Sequence, residues 1–199
     1  LQGRRVLQTY LTPTQDGPDR LRAKLKKILT RIKREFPKVG RVILCSVVPK
    51  VLNIVEESVI LCLKIPPKVI GRDIKVPMKN NYRDPRQVGQ DRLVCAYAAQ
   101  YLYGRPAIVI DFGTAITFDV VSAQGEYEGG IIIPGIRLSA ESLFQKTALL
   151  PRVDTLHGPR SLIGKDTQGS ILSGIFFGYG AMSRGLIEQI TQQIKGKPK

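Results

Sequence analysis

The sequence predicts an α/β fold on three observations. Apolar β-branched runs alternate with segments of helical periodicity, Gly and Pro punctuate the boundaries, and 43% of the 199 residues are hydrophobic, enough for a proper core. The first helix is expected over Asp19–Phe36, where Leu21, Leu25, Ile28, Leu29, Ile32 and Phe36 recur at helical spacing. Pro18 and Asp19 suit its first turn, and Pro37 followed by Gly40 suits its end. The run R-V-I-L-C-S-V-V-P, Arg41–Pro49, reads as a buried strand. A helix around Leu52–Leu63 and an extended piece near Val69 complete a β–α–β pattern. Turn-rich residues Val76–Pro85 lead into a helix from about Pro85 to Tyr103, ended by Gly104. The strand P-A-I-V-I-D-F follows, then strands over Thr114–Val121 and Glu128–Ile133 joined at Ala123–Gly125. Helices near Ser139–Leu149 and from about Thr167 to Ile194 close the chain. A domain change is expected near Ala99–Arg105, dividing the chain into residues 1–99 and 100–199. The opening L-Q-G-R-R-V-L-Q-T-Y reads as a strand or hairpin already in progress, so a truncated N-terminus is expected.

Charge narrows the function classes. Lys and Arg number 31 against 16 Asp and Glu, a formal net charge of +15 that first suggests nucleic acid or an anionic membrane surface. Residues 1–50 hold 13 basic and 3 acidic side chains, whereas residues 101–150 hold 3 basic and 5 acidic. Much of the excess is the outer face of the first helix: Arg22, Lys24, Lys26, Lys27, Arg31, Lys33 and Arg34. That helix has Phe36 as its single aromatic residue, which is not the interleaving of bases and rings that single-strand binding requires. A solvated helix face is the expectation, with no specific nucleic acid partner. No apolar stretch approaches bilayer length and no signal-peptide zones open the chain, so a soluble, cytoplasmic protein without a membrane partner is expected. Cys45, Cys62 and Cys95 are odd in number and widely spaced, which fits neither a disulfide framework nor a zinc site.

Three places could carry chemistry. Asp111 ends a strand that turns at once through Gly113 and Thr114. The carboxylate could hold a cation, while Gly113 lets backbone approach a phosphate and Thr114 offers a hydroxyl and an N–H. A tight hairpin in which Asp111 satisfies turn amides explains the same residues equally well. In Y-R-D-P-R-Q-V-G-Q-D-R, Tyr82–Arg92, Asp91 could act as a general base and Arg92 could clamp a carboxylate; a solvated helix face with a local ion pair is the plainer alternative. Thr167, in G-K-D-T, is first an N-terminal cap for the last helix and second a ligand donor. G-P-R-S-L-I-G-K-D is not a P-loop, because the spacing of its glycines is too long and Asp166 replaces the hydroxyl residue. D-F-G at Asp111–Gly113 lacks the other signatures of protein kinases. His157 lies in a Pro- and Gly-flanked loop and reads as a surface residue.

Taken in order, Ser46–Pro49 (S-V-V-P), Tyr82, Gly89–Arg92 (G-Q-D-R), Asp111–Asp119 (D-F-G-T-A-I-T-F-D), Gly129–Gly135 (G-G-I-I-I-P-G), Leu149–Val153 (L-L-P-R-V) and G-K-D-T resemble the type III pantothenate kinases along nearly the whole chain. The resemblance implies a two-domain actin-like, ribonuclease H-like ATPase fold in a homodimeric cytoplasmic enzyme. It implies transfer of the ATP γ-phosphoryl to pantothenate, the first step of coenzyme A biosynthesis, with Mg2+ or another divalent cation and K+ or NH4+. Carried onto matching positions, Asp91 is the proton acceptor, and Tyr82, Gly89, Gln90, Asp91, Arg92 and Thr167 bind pantothenate. Gly113 and Thr114 meet the ATP phosphates and Asp111 holds the monovalent cation. Gln90 departs from the small residue common in the family. The family's N-terminal D-x-G-N-T loop and its segment beyond the last helix have no counterpart, so the resemblance implies a chain incomplete at both ends, on the ATP side. The competing reading is a non-catalytic regulatory or nucleic-acid-associated relative on the same scaffold.

Overall fold

The computed structural model describes residues 6–13, 17–155 and 157–199, and in it the α/β expectation holds as a mixed architecture of five helices and five strands among these residues. They fall into two compact units, residues 1–77 with 86–95, and residues 78–85 with 96–199. No helix among the described residues is long and apolar enough to cross a membrane.

In the first unit, α1 (Pro18–Glu35) starts at Pro18, whose fixed φ suits the first helical position, after Gly17 at positive φ. Its apolar stripe packs Leu25, Leu29 and Ile32 against Val55, Val59, Cys62 and Leu63 of α2 (Pro49–Leu63). The basic face stays outward, with Arg22 bridging to Glu57 at 2.9 Å and Arg31 to Glu35 at 2.7 Å on exposed surface. The expected buried strand over Arg41–Pro49 contracts to β1 (Ile43–Leu44), paired in parallel with β2 (Lys68–Val69) across the α2 crossover. One pairing edge does not bury the run: Ile43 is 59% exposed, and Val47 and Val48 are exposed as well. Pro49 then starts α2 earlier than the periodicity alone suggested. Of the expected N-terminal strand, residues 1–5 lie outside the described residues and residues 6–10 form no strand.

The turn after β2 is tied electrostatically. Val69 N–H donates to the Asp73 carboxylate at 2.8 Å, and the Arg72 guanidinium reaches both oxygens of Glu56, at 2.5 and 3.1 Å, as well as Asp73. Hydrogen bonding from Arg72 holds Glu56 below the usual carboxylate range; for Asp73 the same group acts first and the Val69 amide second. Carboxyls lowered in the folded state stabilise above their unfolded pKa, and that contribution vanishes as pH falls through the lowered folded values. Wild type is therefore expected to melt above Arg72→Ala at pH 7, with the gap closing as pH drops below about 4. Thermal midpoints across a pH series check this, and a gap constant down to the acid limit contradicts it.

The second unit is built on an antiparallel sheet in the order β3 (Ala107–Phe112), β4 (Ala115–Val121), β5 (Tyr127–Pro134). Alternation decides its faces. Ile116, Phe118 and Val120 of β4 point to one side and pack with Ile110 and Ile131 against Leu186, Ile187 and Ile190 of α5 (Thr167–Gln193). Thr117 and Asp119 point to the other. Residues 79–81 lie along β5: Tyr127 N–H donates to Lys79 O and Asn81 N–H to Tyr127 O, both at 2.8 Å. α4 (Ile136–Lys146) begins directly after Gly135, ahead of the Ser139 start expected, and packs Ala140 against Ile171 and Ile175 of α5.

Candidate functional site

Gly89, Gln90, Asp91 and Arg92 belong to the first unit. The helix expected from Pro85 is a short 3-10 turn, Pro85–Gln87, followed by α3 (Gln90–Tyr103), because buried Val88 and Gly89 intervene. Gly89 O accepts the first helical bond, from Leu93 N–H at 3.3 Å. A side chain at Gly89 would displace the Asp91 carboxylate and stand 3.3 Å from Val47 Cγ1, so glycine here lets Asp91 keep its position. Asp91 is exposed, and its Oδ1 accepts from Arg92 N–H at 2.9 Å. Partial desolvation of the thiol, then the charge of Asp91, push Cys45, the residue after β1, above the ordinary thiol range. Gln90 folds over Gly71, where an added Cβ would lie 2.8 Å from Gln90 Cγ. The N-terminus of α3 thus meets the segments leaving the carboxyl ends of two parallel strands, the usual place for a ligand in an α/β unit. Arg92 is half-buried there.

Tyr82, Asp111, Gly113, Thr114 and Thr167 belong to the second unit. Asp111 and Thr117 are register partners at the exposed end of the β3–β4 hairpin, and Gly113 N–H bonds Ala115 O at 3.0 Å across the turn. Gly135 closes on that turn: its N–H donates to Thr114 O at 2.9 Å, and a Cβ would strike the carbonyl oxygens of Gly113 and Thr114. Gly113 and Thr114 are therefore brought to the N-terminus of α4, where unsatisfied N–H groups and the helix dipole favour an anion. Tyr179 steadies this corner, its hydroxyl lying 2.5 Å from Ser139 Oγ and donating to Pro134 O at 2.7 Å.

Tyr82 is half-buried with its ring 6.5 Å from that of Tyr127. Thr167 is corrected in its first role. The cap of α5 is Asp166, whose Oδ1 accepts from Gly169 N–H at 2.7 Å, and Thr167 is the first helical residue, exposed and free for the second role. Beside it, a cavity of about 530 Å3 is lined by Arg160, Lys165 and Gly164 among others. Sequence reasoning singled out neither Tyr127 nor Asp119 as a site residue; the available signal was a carboxylate inside an apolar strand, which demands a buried partner.

Among the described residues no group of three His, Cys, Asp or Glu could enclose a metal ion. An exposed lone carboxylate at Asp111, with the Thr117 hydroxyl residue opposite, suits a weakly held cation whose other ligands are carbonyls, water or substrate phosphate.

The family model for type III pantothenate kinase matches residues 2–189. The type III pantothenate kinase of Persephonella marina is 46% identical over 157 residues, 79% of this chain and 61% of that protein. That of a Sulfurihydrogenibium species is 43% identical over 159 residues, 80% of this chain and 63% of that protein. The chain spans a little over three fifths of the length of these curated relatives. With the family model matching nearly from end to end, the chain belongs to the type III pantothenate kinase family.

Proposed function

We propose that the protein phosphorylates pantothenate with ATP, giving 4'-phosphopantothenate and ADP, the opening step of coenzyme A biosynthesis. The observation that carries the reading is the family match across residues 2–189, which includes every residue assigned a role below. In this reading the pantothenate hydroxyl oxygen attacks the γ-phosphorus, the bond to the β–γ bridging oxygen breaks, and the hydroxyl proton passes to the Asp91 carboxylate. Asp91 suits that role because it is exposed at the head of α3 with its backbone fixed by the helix. Arg92 pairs with the pantothenate carboxylate, for which its planar fork is shaped. Gly89 and Gln90 flank Asp91 and Arg92 in the first unit, and by the family resemblance Tyr82 and Thr167 also bind pantothenate.

Gly113, Thr114 and the N-terminus of α4 receive ATP phosphates. Asp111 would hold K+ or NH4+, and that cation, with a Mg2+ bound to the nucleotide, would neutralise charge on the phosphates. Phosphoryl transfer asks chiefly for alignment and charge stabilisation, and these residues supply backbone amides, one base and one guanidinium. The wider reading is a cytoplasmic homodimer of the actin-like, ribonuclease H-like ATPase fold, with domains over residues 1–99 and 100–199. The test is mass-spectrometric detection of phosphopantothenate from the protein expressed from its complete reading frame, with ATP and Mg2+. Product is expected, formed faster in K+ than in Na+; no product in either salt overturns the reading.

A further inference from the structure

Asp119 is a carboxylate in the middle of the central strand β4, 1% exposed, and burying such a group is costly unless something requires it. Both of its oxygens are engaged. The Tyr127 hydroxyl donates to Oδ1 at 2.6 Å and Thr117 Oγ1 donates to Oδ2 at 3.1 Å. Tyr127 is itself fully buried and carries the segment that ends in Tyr82. Its backbone makes the two 2.8 Å hydrogen bonds to Lys79 and Asn81, and its ring lies against Tyr82 at an interplanar angle of 47°. Side chains clamp the same segment from outside: Asn81 Nδ2 donates to Glu126 at 2.8 Å and to Glu128 at 3.2 Å, and Lys79 pairs with Glu126 at 3.1 Å. Tyr82 N–H donates to Asn80 Oδ1 at 3.0 Å, fixing the turn from which the ring projects. Gly129, at φ +124, lies beside the Tyr82 ring, where a Cβ would stand 3.6 Å from Cδ2 and Cε2.

A Phe packed on an aliphatic residue would fill the same space without a desolvated charge. What the Asp119–Tyr127 pair adds is orientation, since a 2.6 Å hydrogen bond to a buried carboxylate fixes the tilt of the Tyr127 ring in a way apolar packing does not. We propose that Asp119 and Tyr127 are positioning residues for pantothenate, setting the ring of Tyr82 through Tyr127; this rests on Tyr82 binding pantothenate as argued above.

Three variants of the full-length enzyme test it. Tyr127→Phe is expected to raise KM for pantothenate roughly tenfold while kcat and KM for ATP stay within about twofold, the pattern of lost substrate binding. Asp119→Asn, whose amide oxygen still accepts from the Tyr127 hydroxyl, is expected to keep KM for pantothenate close to the wild-type value. The double variant Asp119→Val/Tyr127→Phe supplies an apolar pair, and is expected to fold normally yet keep the raised KM. Ring resonances of Tyr82 in 13C-tyrosine-labelled protein, assigned with Tyr82→Phe, are expected to shift in Tyr127→Phe. If KM for pantothenate and the Tyr82 resonances are both unchanged, the positioning role is overturned. If wild type neither binds nor phosphorylates pantothenate while the Tyr82 resonances still shift, the positioning of Tyr82 stands and the pantothenate assignment falls.

Discussion

Asp91→Asn is expected to lower kcat by about a hundred- to ten-thousand-fold, the usual worth of a positioned general base, with KM for pantothenate changed only a few-fold. The substitution is nearly isosteric. The amide oxygen can still accept the Arg92 N–H that Asp91 Oδ1 accepts at 2.9 Å, so the first turn of α3 keeps its geometry. What disappears is the capacity to take the hydroxyl proton. Because the side chain is exposed and its local bond survives, stability is expected to stay within about 0.5 kcal/mol of wild type. Steady-state kinetics with both substrates, alongside a thermal melt, separates the two effects. A variant turning over within threefold of wild type would remove Asp91 from the proton-transfer step and leave it as a contact residue.

The side-chain patterns that made this residue visible explain what could be read from sequence and what could not. β3, β4 and β5 were legible because short apolar, β-branched runs recur over Ala107–Pro134 and Ala123–Gly125 supplies turn residues, all of which is local. α1 was legible from its 3.6-residue stripe, and the same stripe accounts for the charge: once Leu25, Leu29 and Ile32 pack on α2, the lysines and arginines are left on the outer face, where Arg22 and Arg31 make exposed ion pairs. β1 was overestimated because an apolar run does not say how many neighbours will cover it. At the candidate site, Gly89, Asp111 and Gly113 were found as motif letters, but the reasons for glycine were not. Gly89 leaves room for the Asp91 carboxylate, and Gly135 yields to the turn at Gly113 and Thr114, far earlier in the chain, a contact that only tertiary structure creates. The Asp119–Tyr127 bond was hidden for a related reason. The register shift at Val120/Val121 sets the stagger of Tyr127 relative to β4, and a bulge is not announced by composition.

Gly135→Ala is expected to be the most disruptive single-methyl change in the nucleotide half of the site. Its backbone, at φ −74 and ψ 164, is open to any residue, so the penalty is one of space alone. The added Cβ would strike the carbonyl oxygens of Gly113 and Thr114 and lie 2.8 Å from the Thr114 carbonyl carbon. These are backbone atoms in a tight hairpin and cannot rotate aside, so either the β3–β4 turn or the start of α4 must shift. Overpacking of this kind costs about 1–3 kcal/mol, which in a chain of this size lowers the melting midpoint by roughly 2–12 °C. The displacement separates Thr114 from the α4 amides proposed to share the ATP phosphates, so KM for ATP is expected to rise at least about tenfold while KM for pantothenate is little changed. Gly174→Ala provides the control. It lies within α5 with no atom near the added Cβ, and removing a helical glycine there is expected to stabilise by about 0.5–1 kcal/mol. Opposite signs for the two glycines would show that the Gly135 effect comes from the contact with the turn; equal losses would remove that contact as the cause, and an unchanged KM for ATP would remove the turn from nucleotide binding.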